Sequence, residues 1–139
     1  MRATSLLLLV PVALLAACAA QTVQEPKLTD RQAADLDKAL AGKVAGEKTS
    51  CIDRYPSTNL RVISNEVLLY EAGRKLTYVN KVIGRCSGLT FGNTLVIRSF
   101  GSQYCRGDIA SVVDLQTGID HGACALGDFV PYRTPDAKK

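Results

Sequence analysis

Four cysteines, at positions 51, 86, 105 and 124, constrain this 139-residue chain more than any other feature. They lie 35, 19 and 19 residues apart. Structural zinc takes thiolates in close pairs, about two to four residues apart, and a redox dithiol needs Cys-x-x-Cys. Neither spacing occurs. Arg2 precedes an apolar run over residues 6–15, interrupted by Pro11 and too short to span a ~30 Å hydrocarbon layer. A basic start, a short apolar core and small residues after it read as an export signal, and the rival reading is a buried N-terminal helix. An even number of cysteines in a small exported domain predicts two disulfides, with three pairings open. A turn at Gln116-Thr117-Gly118 folds residues 109–115 onto the following segment. With Gln116 opposite Ile119, Cys124 faces Ser111, six residues from Cys105. That register disfavours Cys105–Cys124 and, by elimination, Cys51–Cys86. The expected pairing is therefore Cys86–Cys105 with Cys51–Cys124, the second tying the domain's beginning to its end.

The fifth cysteine has a different context. Leu15-Ala16-Ala17-Cys18 resembles the bacterial lipobox, a leucine three residues before a cysteine with small residues between. The resemblance implies a diacylglyceryl group on the Cys18 thiol, cleavage before it and acylation of the new amino terminus. One acyl chain, at ~0.8 kcal/mol per buried methylene, anchors weakly, whereas several on one residue hold firmly. Ala19 follows where an aspartate would retain the lipoprotein in the inner membrane. By analogy with Gram-negative sorting, the expected location is the inner leaflet of the outer membrane, with the domain in the periplasm. Ordinary cleavage near Ala19 or Ala20, releasing a soluble periplasmic protein, is the rival. The resulting organisation is a signal peptide over 1–17, a lipidated tether over 18–28, one domain over 29–133 and a polar tail over 134–139.

Within the domain a helix comes first. Thr29 followed by Gln32 fits a capping box, and Asp30 suits the first turn. Ala33, Leu36, Leu40 and Val44 form a thin apolar stripe, with Gly42 as a stop. A stripe this sparse docks on its own domain, or else serves a partner. From Cys51 onward the pattern is β. Residues 61–64, 67–71, 76–80, 94–100 and 109–115 are rich in valine, isoleucine, leucine and tyrosine and are separated by turn residues. Gly92-Asn93 predicts a two-residue hairpin between Phe91 and Thr94, while residues 79–83 are ambiguous and compatible with a helical turn. The expected fold is mainly β: a small antiparallel barrel or sandwich with one short N-terminal helix.

At these residues the chain resembles an uncharacterised family of small proteobacterial lipoproteins, defined only as a domain of unknown function. The resemblance runs from about Leu36 to Tyr132. It is carried by Ala45-Gly46, Cys51-Ile52, Tyr78 and Asn80, Cys86-Ser87-Gly88-Leu89, Cys105-Arg106-Gly107-Asp108, and Cys124-Ala125-Leu126-Gly127-Asp128-Phe129-Val130-Pro131. It implies class and location and names no reaction.

The inventory for chemistry is thin. His121 is the single histidine, so no multi-histidine metal site is expected, and no cofactor is implied. Disulfides consume the thiols that a Cys-His nucleophile would need. Ser99, Ser102 or Ser111 with His121 and Asp108 or Asp114 would be the raw material of a serine triad, but the Gly-x-Ser-x-Gly elbow is missing. Asp53, Glu66, Glu71, Asp108, Asp114 and Asp128 supply carboxylates for a hydrolytic pair, without a spacing that selects any. Asp108, just after Cys105-Arg106-Gly107, reads as an acceptor of turn N–H groups. His121 reads as a solvated loop residue. Arg106-Gly107-Asp108 spells an adhesion tripeptide, which chance explains better beside a disulfide cysteine.

Residues 51–133 carry nine cations and seven carboxylates, a balance of +2 that is too mild and dispersed for nucleic acid. Arg74, Lys75, Lys81 and Arg85 form either a solvated face or a cluster for an anionic envelope polymer. The expected function is a non-catalytic envelope lipoprotein, an interaction or ligand-binding module held to the membrane through Cys18. Its expected partner is an envelope protein or polymer. Two alternatives remain: a small hydrolase using a carboxylate pair, and an inhibitor of a lysozyme-like hydrolase. The membrane-bound C-type lysozyme inhibitors are similar in size, anchor and cysteine content, but a basic chain is poorly steered onto cationic lysozyme.

Overall fold

A computed structural model describes residues 25–55 and 59–135. The leader over 1–17, Cys18 and the tail residues 136–139 lie outside the described residues. Helix α1 (Asp30–Leu40) begins at the expected box: the Thr29 hydroxyl accepts the Gln32 N–H at 3.3 Å, and the Gln32 side chain accepts the Thr29 N–H at 3.0 Å. It ends just before Gly42, whose φ of 71° is costly for any residue with a Cβ. Lys43 closes the helix end, donating to the Ala39 carbonyl at 3.1 Å and to the buried Thr77 hydroxyl at 2.7 Å.

Ten strands follow: β1 (Val44–Ala45), β2 (Cys51–Asp53), β3 (Asn59–Val62), β4 (Val67–Glu71), β5 (Leu76–Lys81), β6 (Thr94–Arg98), β7 (Gln103–Cys105), β8 (Ile109–Val113), β9 (Asp120–Ala125) and β10 (Phe129–Arg133). They form a five-stranded antiparallel sheet in the order β1-β10-β5-β4-β3, a three-stranded sheet β6-β8-β9 and a ribbon β2-β7. Among the described residues the architecture is mainly antiparallel β with one short helix, as the pattern predicts, and the three sheets do not close into a barrel.

The inner strand β4, between β5 and β3, explains the layering. Residues 67–70 are all buried, so both faces of the sheet are covered. Leu68 and Tyr70 point into the larger core with Ile52, Leu89, Val112, Leu126 and Phe129. Val67 and Leu69 point the other way, where Ile63 and Val79 complete a second core under Leu28, Leu36, Ala39 and Leu40. Leu36 and Leu40 of the sparse stripe therefore dock on the domain itself, whereas Val44 lies beyond the helix in β1 and is exposed. Residues 79–81 belong to β5, and Val82 donates its N–H to the Glu66 carbonyl, so no helical turn forms there.

Both expected disulfides are corrected. The bonds are Cys51–Cys105 and Cys86–Cys124, not Cys51–Cys124 and Cys86–Cys105. Cys51 lies directly opposite Cys105 in the β2-β7 ribbon, with Cα atoms 4.1 Å apart. Cys124 lies opposite Ala110 rather than Ser111. The turn after β8 is wider than expected, with Asp114 rather than Gln116 opposite Ile119, and an irregularity between Ser111 and Val113 takes back one of those two residues, leaving a net register shift of one. A one-residue slip moves a side chain to the other face. Here it sends Cys124 into the core, where Cys86 is fully buried.

The Gly92-Asn93 hairpin is also corrected. Residues 89–91 form a 3-10 turn with Leu89 buried, Gly92 closes it at φ 87°, and Thr94 pairs with Val113 across β8 instead of with Phe91. The Asn93 amide donates to the Gly88 carbonyl at 2.9 Å, which holds the turn shut.

Candidate functional site

The residues behind the family resemblance build the frame. Asn80 is fully buried on β5; its amide nitrogen donates to the Gly127 carbonyl at 2.8 Å, and its oxygen accepts the Gly127 N–H at 3.1 Å. This two-point clamp joins β5 to the approach to β10. A Cβ on Gly127 would overlap the Lys81 carbonyl, so only glycine admits the approach. The Asp108 carboxylate accepts the Cys105 N–H at 2.8 Å, which confirms it as a turn acceptor. Asp128 receives Lys48 at 3.3 Å and Arg106 at 3.2 Å. These side chains shape the strand ends that lead into the two disulfides.

A concavity lies elsewhere, at the helix entrance. A cleft of about 650 Å³ opens among Glu25, Lys27, Thr29 and Gln32 on one side and Ser64, Asn65, Glu66, Gly84, Arg85, Thr90 and Phe91 on the other. Its floor is a tight turn. The Ser64 hydroxyl, itself buried, accepts the N–H groups of Glu66 and Val67 at 3.1 and 3.0 Å. Asn65 ties two segments together: its carbonyl accepts the Cys86 N–H at 2.8 Å and its side chain accepts the Thr90 N–H at 3.2 Å. Glu66 and Arg85 approach to 3.5 Å across the rim, and Lys81 meets Glu25 at 2.7 Å. Phe91 stands 85% exposed at the mouth, a bare ring beside hydrogen-bonding groups. The Cys86–Cys124 bond anchors the segment that carries Thr90 and Phe91 to β9.

The residues singled out for chemistry are scattered. His121 is exposed, but at the start of β9 rather than in a loop; a Cβ added at Gly88 would meet it at 3.4 Å. Ser99 and Ser102 follow β6, at the end of the three-stranded sheet opposite His121, and Ser111 lies buried mid-strand across from Ala123. Asp108 immediately precedes β8 and thus sits at the Ser99 end. No triad geometry follows from this placement.

Most of the carboxylates have structural partners. Asp53 accepts from the Gln103 amide at 3.0 Å, and Glu66, Asp108 and Asp128 are engaged as above. Asp114 accepts the Gln116 N–H at 2.7 Å and the Thr117 N–H at 3.3 Å. The Gln116 N–H, foremost, and the Thr117 hydroxyl hold its carboxyl below the ordinary value of 3.8. The cations divide as well. Lys81 and Arg85 flank the cleft end of the five-stranded sheet, while Arg74 and Lys75 sit at the opposite turn between β4 and β5. A single anionic-polymer patch from all four is therefore not formed. Among the described residues, no group of three or more His, Cys, Asp or Glu side chains is placed to hold a metal ion.

The cleft was not legible in the sequence. Its lining comes from four separate segments, and of these only the Thr29–Gln32 capping box is a motif in the sequence, where it reads as a helix start. Among the described residues no helix is long and apolar enough to cross a membrane. Neither the curated proteins nor the solved structures contain a match. The family profile matches residues 1–128, which span the cysteine-centred segments through Asp128, and the chain belongs to the family of unknown function DUF6491.

Proposed function

We propose that this protein is a lipid-anchored, non-catalytic binding module of the cell envelope, acylated at Cys18 and held in the outer membrane facing the periplasm. Its ligand site is the cleft between the helix entrance and the 64–66 turn. The observation that carries the reading is the cleft itself. A concavity of about 650 Å³ is in the size range of small-ligand sites, and its donors and acceptors are fixed by backbone hydrogen bonds rather than free to collapse. One exposed ring, Phe91, amid amide, hydroxyl, carboxylate and guanidinium groups suits a ligand with a polar perimeter and one flat apolar face.

The structural partners of Asp53, Glu66, Asp108, Asp114 and Asp128 support binding over hydrolysis, because carboxylates committed to turns and ion pairs are poor acid–base pairs. The test is a photo-crosslinker at Thr90, an exposed cleft residue, in the acylated full-length chain within intact envelopes. A defined envelope molecule attached at Thr90, and absent when the crosslinker is moved to Arg74, is the expected outcome. Attachment only to the most abundant envelope proteins, equal at both positions, overturns it.

A further inference from the structure

We infer that the cleft takes a pyranose ring of an envelope glycan, stacked on Phe91 and held at its hydroxyls by Gln32, Asn65, Glu66 and Arg85. The inference rests on the cleft being the ligand site, as proposed above, and adds the chemical class of the ligand. Of the residues that line the cleft only Phe91 has an apolar side chain, and its ring is 85% exposed. The ring does not hang from a loose loop. The Phe91 N–H donates to the Gly88 carbonyl at 3.1 Å, Leu89 beside it is buried, and Gly88 and Gly92 bound the turn at φ 85° and 87°. A flat face already held in place loses little freedom when a ligand stacks on it.

The polar groups narrow the choice of ligand. Much of the cleft's backbone is already engaged. The N–H groups of Thr29 and Gln32 donate to each other's side chains, and those of Glu66 and Thr90 donate to the side chains of Ser64 and Asn65. The Asn65 and Glu66 carbonyls accept from Cys86 and Val82. An extended peptide docks by adding main-chain hydrogen bonds to a free edge, and these groups are taken. The side chains differ. Gln32 and Asn65 each commit the amide oxygen to a backbone N–H, which leaves both amide nitrogens to donate. Glu66 and Arg85, 3.5 Å apart, add a two-oxygen acceptor and a forked donor. Neighbouring hydroxyls, each able to donate and accept, match such a set. The charges exclude other classes: Glu25 and Glu66 balance Lys27 and Arg85, so no net field selects a phosphate or a polyanion. A heteroaromatic ring would stack on Phe91 but brings few edge groups to meet these donors and acceptors. A pyranose carries a hydroxyl on most ring carbons, and its partly positive axial C–H groups suit the negative face of an aromatic ring.

The chain has no tryptophan, so Phe91→Trp keeps an aromatic platform and makes it a lone reporter. The full-length protein in detergent micelles is titrated with two probes, the tetramers of N-acetylglucosamine and of glucose. Calorimetry reads the wild type, and indole emission reads Phe91→Trp. Phe91→Ala removes the ring at an exposed position, and Phe100→Ala, just beyond the far end of β6 and fully exposed, is the control. The expected result is saturable binding of at least one tetramer, weakened about tenfold by Phe91→Ala and not by Phe100→Ala, with shifted emission in Phe91→Trp. The tighter tetramer distinguishes an amino-sugar glycan from a neutral glucan as the source. Binding that survives Phe91→Ala undiminished places the sugar elsewhere and overturns the inference. Failure of both tetramers to bind also overturns it. A Thr90 crosslink to a protease-sensitive, periodate-resistant molecule would then leave the cleft standing as a site for a peptide, whereas no specific crosslink at Thr90 would remove the cleft reading as well.

Discussion

Removing the two disulfides one at a time should destabilise the domain unequally, and burial rather than loop length should set the order. Cys51–Cys105 closes 54 residues and Cys86–Cys124 closes 38. Chain-entropy arithmetic gives about 4 kcal/mol for each, with the longer loop ahead by only ~0.3 kcal/mol. The surroundings differ more. Cys86 and Cys124 are 0% and 6% exposed within the larger core, whereas Cys51 and Cys105 are half-buried on the ribbon. Replacing the buried pair with alanine also removes two packed sulfurs and leaves voids, adding about 2 kcal/mol. The Cys86→Ala/Cys124→Ala protein should therefore lose about 6 kcal/mol and the Cys51→Ala/Cys105→Ala protein about 4. Against a total of about 5–15 kcal/mol for a domain of this kind, the first is close to unfolded.

Urea unfolding of both double variants, carried in the Cys18→Ser background under oxidising conditions, measures the order. With a slope of ~2 kcal/mol/M, the core-bond variant should melt about 1 M earlier. Equal midpoints, or the reverse order, would refute the argument that the core bond contributes packing beyond its cross-link. Connectivity is checked independently, because trypsin places each cysteine on its own peptide. Non-reducing digestion should join residues 49–54 to 99–106 and residues 86–98 to 107–133.

Other perturbations probe the frame. Asn80→Ala strips the partners from the Gly127 N–H and carbonyl in a buried setting, and should cost about 3 kcal/mol in denaturant unfolding; a loss under 1 kcal/mol would show the clamp idle. Tyr70 is 1% exposed, and its hydroxyl has no hydrogen-bond partner among the described residues, so Tyr70→Phe should gain about 1 kcal/mol. Burial, helped by Tyr104 and Asp108, pushes the same hydroxyl's pKa well above 10.0. The unfolded chain can ionise there while the folded one resists, so stability should fall above pH 10 and fall less in Tyr70→Phe. Asp114 shifts the other way: its folded carboxyl titrates below 3.8, so the support it gives the 114–119 turn is present above that value and lost as pH falls through the lower folded pKa. Carbon-detected NMR titration should find its midpoint below that of an exposed aspartate, and Asp114→Asn should remove the pH response of the Gln116 amide.

What the sequence disclosed follows from the range of the forces involved. The Thr29–Gln32 box, the Gly42 stop and the runs at 67–71 and 76–80 are written in neighbouring residues, and the folded chain uses them nearly as read, while of the run at 109–115 the strand takes 109–113. The strand β10 escaped because Pro131 argues locally against a strand. The sheet tolerates it where only the two-residue β1 lies alongside, with Gly46 donating to the Pro131 carbonyl. The ribbon escaped for a different reason. Cys51-Ile52-Asp53 and Gln103-Tyr104-Cys105 are too short to show a period, and their pairing is decided by the core beneath Ile52 and Tyr104.

The disulfide error has the same origin at the scale of one residue. Counting outward from a turn closed by Gln116 and Ile119 misses both the wider turn closed by Asp114 and Ile119 and the irregularity that Gly122, at φ 119°, admits in the returning strand. Local chemistry thus specified the pieces, while the partners of Cys86 and Cys51 depended on register and burial that only the assembled sheets define. The cleft belongs to the same category. Ser64, Asn65, Arg85 and Thr90 are unremarkable singly, and they become a site only because the Cys86–Cys124 bond and the Asn65 hydrogen bonds carry the 84–91 segment to the entrance of α1. A binding function resting there should therefore be lost with the Cys86–Cys124 bond.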